Sequence, residues 1–133
     1  MLFTREFYTR VRDRLTPGGT MTMQAGMTKV GELDFFTAIH RTLGEVFPVV
    51  AGYQAFISCF GTPWGFILAS RKVDPRFQDV AAVDRLIAER VHGSLGYWDG
   101  VTHQHSFALP KFIRHAIAAQ TRVSTDVNPL IVA

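Results

Sequence analysis

The stretch Arg14 to Met27, RLTPGGTMTMQAGM, constrains this chain more than any other, because it stops a helix abruptly and passes at once into an apolar strand. Just upstream, Thr4 precedes EFYTRVRDRL, where Phe7, Tyr8, Val11 and Leu15 recur on one helical face while Arg5, Arg10, Arg12 and Arg14 point away. The pattern predicts an amphipathic helix capped by Thr4. Pro17-Gly18-Gly19 breaks it, since proline cannot extend the hydrogen bonding and glycine accepts backbone angles that other residues avoid. Thr20 to Gln24 then reads as a short strand.

Beyond the turn at Gly26, ELDFFTAIHRTLGEVF sets Leu33, Phe36, Ile39, Leu43 and Val46 on one stripe, predicting a second helix that ends before Pro48. Val49 to Cys59 is rich in β-branched and aromatic residues. Gly61-Thr62-Pro63 is expected to turn it into a further strand, WGFILAS, making an antiparallel hairpin. VDP at 73–75 marks a boundary. After it, Ala81 to Val91 reads as a helix, GSLGYWDG as a loop, and Pro110 to Gln120 as a helix with Pro110 in its first turn. The fold class is therefore α/β, with one strand–helix–strand unit, a terminal antiparallel hairpin and a helical tail. Parallel sheets flanked by helices are usually built from several such units. With only one, at least one edge of the Thr20 to Gln24 strand is expected to lack a neighbour, as in the second half of a larger sheet.

Several function classes drop out. The 14 Lys and Arg against 11 Asp and Glu give a net charge of +3, but the charges alternate and form no basic stripe with interleaved aromatics, so no nucleic-acid partner is expected. No apolar run approaches the ~18 residues of a membrane span, and no secretory leader is visible, which makes the cytoplasm the expected compartment. Cys59, the single cysteine, excludes an internal disulfide and is expected to be a small buried hydrophobe. His103 and His105 in THQHSF lack a supporting cysteine or carboxylate cluster, so no metal site is expected; His105 and His115 read as surface or capping groups. Asp99, Asp126 and Glu45 show no pairing from sequence, and no catalytic acid or base is assigned. PGG and GTPWG lack the G-x-G-x-x-G spacing of a dinucleotide site.

Taken in order, the motifs resemble the polyamine aminopropyltransferases, the spermidine and thermospermine synthase family, over nearly the whole chain. LFTREFYTRVRDRLTPGGTMTMQAG is similar to that family's L-[FY]-[ST]-x-x-F-Y opening, P-G-G turn and Q-x-G ending. VFPVVAGYQAFISCFGTPWGFILAS is similar to its V-F-x-x-V-x-x-Y and [WF]-G-[FW]-x-[LM]-A-S segments. YWDGVTHQHSFALPKFIRHAIAAQTRVSTDVNPLIV resembles its ending, with L-P-K-x-[LIV]-R-x-A and a T-D-x-N-P close. Phe60 with Trp64-Gly65 is similar to the thermospermine branch, where the spermidine branch commonly has tyrosine near Phe60.

The resemblance implies the C-terminal part of a methyltransferase-like, Rossmann-type sheet over 1–72, with a helical tail over 73–133 packed on it. It implies aminopropyl transfer from decarboxylated S-adenosylmethionine to a polyamine, with no separate cofactor. The family's donor site and its D-x-x-D-P loop precede the segment matched here. The chain alone is thus expected to be inactive, its other half absent or carried by another chain. By the same resemblance Gln24 lines the amine pocket, and Phe60 and Trp64 form its wall. The alternative is a non-catalytic module that oligomerises, or binds a separate N-terminal half, through its open sheet edge.

Overall fold

A computed structural model describes residues 1–131; the last two residues assigned to the tail lie outside the described ones. Helix α1 spans Arg5–Arg14, and the Thr4 hydroxyl accepts from the Phe7 backbone N–H at 3.3 Å, the predicted cap. Strand β1 follows at Thr20–Met27, then α2 at Asp34–Gly44, β2 at Val49–Ile57 and β3 at Thr62–Ser70. A 3-10 turn at Pro75–Phe77 leads to α3 at Val80–Arg90, α4 at Gly100–Phe107 and α5 at Lys111–Ala119.

The sheet order is β1-β3-β2, with both neighbouring pairs antiparallel. The hairpin forms as expected, but its second strand inserts between the two strands that α2 connects. β1 and β2 therefore run the same way with β3 between them. β1 ends the order, and its outer edge has no partner among the described residues, as the single strand–helix–strand unit requires.

Four local readings are corrected. β1 does not stop at Gln24: it continues to Met27 through an irregularity in register, made possible by Gly26 at φ +85°. The hairpin turn is Ser58 to Gly61, not Gly61-Thr62-Pro63, because Thr62 and Pro63 already pair with Ile57 and Phe56. Cys59 sits in that turn and is exposed, so the apolar flanks that suggested burial belong to the strands on either side. The segment after Asp99, not read as helix from sequence, forms α4; the Asp99 carboxylate accepts the Thr102 N–H at 2.7 Å and caps it.

One core joins all of this. Tyr8, Phe36, Ile39, Leu43, Ile67 and Ile113 are fully buried, with Leu109 and Leu130 of the tail in the same cluster. Burying each large side chain contributes about 1.5–3 kcal/mol. α2 reaches the sheet closely enough that a Cβ on Gly65 would lie 2.5 Å from Phe36 Cδ2. Across the opposite sheet face, Tyr53 stacks on Phe66 and meets Phe107 of α4 at a centroid distance of 4.9 Å.

Candidate functional site

The irregular end of β1 opens a cleft of about 510 Å³. Its walls come from five places in the chain: Phe3 before α1; Gln24, Gly26 and Met27 of β1; Glu32 just before α2 with Asp34 and Phe35 in its first turn; Trp64 of β3; and Arg122, Leu130 and Ile131 of the tail. β1 pairs with β3 so that Met27 faces Trp64. That register is why two residues far apart in sequence, Gln24 and Trp64, share one wall.

Phe60 stands apart from the lining. It lies half exposed in the hairpin turn, its ring 4.5 Å from that of Trp64 and tilted 41°. It buttresses Trp64 and does not itself line the cleft. The Trp64 indole N–H is sealed from solvent without a hydrogen-bond acceptor, the one buried side-chain polar atom among the described residues left so.

The apolar part of the wall is held by packing. Phe3 meets Phe35 edge-on at 5.4 Å, and Phe35 lies under Gly26, where a Cβ would come within 3.1 Å of its ring. The polar part was not visible from sequence. Asp34 Oδ1 accepts from Gln120 Nε2 at 3.1 Å, and the same amide nitrogen donates to Thr37 Oγ1 at 2.9 Å. Gln120 Oε1 accepts the Arg122 N–H at 2.9 Å. Arg122 Nη1 stands 3.6 Å from Asp34 Oδ2, and Lys29 Nζ 2.7 Å from Glu32 Oε1. Nothing short of the fold links Asp34 to residues so late in the chain.

The other polar candidates have structural work. Glu45 pairs with Arg41 at 2.7 Å. Asp126 accepts the Thr4 hydroxyl at 2.8 Å, and Asp99 is held below the ordinary carboxylate range by the Thr102 N–H it caps. His103 Nε2 lies 2.7 Å from the Pro75 carbonyl and its ring packs against Phe107 at 4.8 Å. Among the described residues no group of three or more His, Cys, Asp or Glu is placed to hold a metal, and no helix is long and apolar enough to cross a membrane.

Comparison with known proteins follows the same lines. A polyamine aminopropyltransferase of Sulfolobus acidocaldarius is 38% identical over 130 residues, covering 98% of this chain and 43% of that protein. Polyamine aminopropyltransferase 2 of Hyperthermus butylicus is 36% identical over 131 residues, with the same two coverages. The crystal structure of spermidine synthase from Thermotoga maritima superposes with a TM-score of 0.75 at 26% identity, over 90% of this chain and 40% of that one. The chain thus spans less than half the length of the relatives it matches, corresponding to their C-terminal part. Residues 1–79, from α1 through the sheet to the start of the tail, match the spermine/spermidine synthase domain, and the chain belongs to that family.

Proposed function

We propose that this chain is the acceptor-side part of an aminopropyltransferase, acting on a polyamine with decarboxylated S-adenosylmethionine as donor and no further cofactor. In the reaction an amine nitrogen gives up a proton, attacks the carbon beside the sulfonium, and forms a C–N bond as the C–S bond breaks and the thioether leaves. A polyamine nitrogen is mostly protonated near neutral pH, like lysine with a pKa of about 10.4, so its lone pair has to be exposed by a base and by loss of water. Neither Gln24, Phe60 nor Trp64 is a base. They would orient and dry the amine, Gln24 by its amide and Trp64, backed by Phe60, as a flat wall along methylenes. The base and the donor site would come from a separate part, so the chain alone would be inactive; the aromatic pair, without a tyrosine hydroxyl, favours a thermospermine-type over a spermidine-type acceptor. It would work in the reducing cytoplasm, where Cys59 stays a free thiol.

What carries this function is the meeting of Gln24 and Trp64 on one cleft within a fold shared with spermidine synthase. The test is an aminopropyl-transfer assay of the chain alone and with the donor-binding part of a relative added, read as release of thioether. Transfer is expected only in the mixture and is expected to fall with Trp64→Ala. Transfer by the chain alone would overturn the division of labour.

A second function is favoured by one observation. β1, TMTMQAGM, has an outer edge without a strand partner among the described residues and carries no charge and no proline, either of which can blunt a sheet edge. A module that uses this edge to join a second copy or a separate N-terminal half would be catalytically silent, and the mixture would then associate without transfer.

A further inference from the structure

The residue before the α1 cap holds a backbone conformation that its side chain opposes. Phe3 sits at φ +64°, and among the described residues no other non-glycine has a positive φ. In that region the Cβ of an L residue crowds the backbone, and a bulky side chain stays there only where its surroundings fix it. Here they do. Thr4 is fully buried, its hydroxyl 2.8 Å from Asp126 Oδ1 while it caps α1. The Arg5 N–H donates to the Ser124 carbonyl at 2.9 Å, and Glu6 Oε2 accepts the Asp126 N–H at 3.0 Å. The three residues that follow Phe3 are thus each bonded to the tail, and the corner does not unwind without breaking them. The Phe3 ring lines the cleft and meets Phe35 edge-on, and Phe35 in turn fills the space beneath Gly26, where β1 loses its register. A glycine would turn the same corner without strain. Strain kept together with a ring on a cleft wall points to function, since backbone outliers gather at ligand sites.

We infer that Phe3 is a specificity-determining residue: pinned from behind by Thr4 and braced by Phe35, its ring fixes the cleft at a width that takes an unbranched methylene chain and rejects a side methyl. The inference rests on the cleft being the acceptor site, and it adds to that reading the shape of acceptor that is refused. The Phe3 side chain has no polar atom and reaches no bond that breaks; it selects by exclusion. A wall that yields discriminates little. The anchored corner matters for that reason, because it holds the ring where a relaxed backbone would let it move aside.

The test compares 1,5-diaminopentane with 2-methyl-1,5-diaminopentane, both as ligands titrated into the full 133-residue chain and as acceptors once the donor-binding part of a relative is added. Wild type is expected to favour the unbranched amine by about tenfold or more, the low end of what one methyl group decides in a fitted apolar site. Phe3→Ala is expected to bring that ratio near one. Damage to the fold weakens both amines together and cancels from the ratio. A wild type indifferent to the branch, or Phe3→Ala with the wild-type ratio, overturns the proposal. The anchored corner has its own measurement, on the chain alone in urea. Phe3→Gly is expected to exceed Phe3→Ala in folded-to-unfolded ratio by about threefold or more, since alanine keeps the strain that glycine escapes; a Phe3→Ala as stable as Phe3→Gly overturns the strained hold. The two functional claims fail separately. Transfer in the mixture with a branch ratio that Phe3→Ala leaves untouched sinks only the role of Phe3. A branch-selective cleft in a chain that never supports transfer sinks only the enzyme, and an amine pair that is neither bound nor transferred sinks both.

Discussion

Trp64 carries a cost that its position explains. A buried N–H without an acceptor costs about 1–3 kcal/mol, and here that cost falls on the residue whose ring forms the cleft wall. Trp64→Phe removes both the orphan and some apolar area, so the two changes oppose each other. Its stability to urea is expected to stay within about 1 kcal/mol of wild type, against the ~3–5 kcal/mol loss usual when a packed aromatic is cut to alanine. His40 gives a second expectation. Burial, with the positive charge of Arg76 nearby, pushes its imidazole down to about 4. An unfolded histidine titrates near 6.5, so between those values the unfolded chain binds the extra proton. The contribution of His40 is therefore complete above about pH 6.5 and is lost as pH falls toward 4, by at most about 3 kcal/mol. Urea midpoints at pH 7 and pH 4.5 should differ less in His40→Gln than in wild type; an equal difference would refute the assignment.

At the scale of elements, the tail is tied to α2 by Gln120, which reaches Asp34 and Thr37, and more deeply by the Thr42 hydroxyl. Thr42 Oγ1 donates to the Ala38 carbonyl at 2.7 Å and accepts the Ser124 N–H at 2.9 Å, and both Thr42 and Ser124 are fully buried. Thr42→Val keeps the shape and strands the Ser124 N–H, which should cost about 1–3 kcal/mol by chemical denaturation, while Thr42→Ser should recover most of it. Legibility in the sequence divides along the same line. α1, α2 and the β2–β3 hairpin were readable because each is fixed by periodicity and by residues a few positions away: Thr4 at its cap, the Phe36–Ile39–Leu43 stripe, the apolar runs about Gly61. The placing of β3 between β1 and β2 was not, since any order of three strands satisfies the same alternation. α4 was hidden for a local reason, its eight residues GVTHQHSF having no apolar stripe. Gln24 and Trp64 could be named from motifs. Asp34, Gln120 and Arg122 could not, because their only link is through space.

For the whole molecule, the tail is part of the core and not an appendage. Leu109, Ile113 and Leu130 are buried in the same cluster as Tyr8 and Phe36, and the Arg5 N–H bonds the Ser124 carbonyl at 2.9 Å. Unfolding should accordingly be one transition, coincident by far- and near-ultraviolet circular dichroism. Ending the chain at Ala119 should destabilise it by about 3 kcal/mol or more, from Leu130 burial and the lost Ser124 bonds together. Two separated transitions, or a truncated chain as stable as the full one, would mean that the first 72 residues stand alone. The dependence also sets an order in time. Phe3, Gln24 and Trp64 leave the ribosome well before Arg122 and Leu130, so the last wall of the cleft is synthesised after all the others. A nascent chain can build its sheet and helices with the pocket still unwalled, and the cleft is complete only when translation of this region is finished.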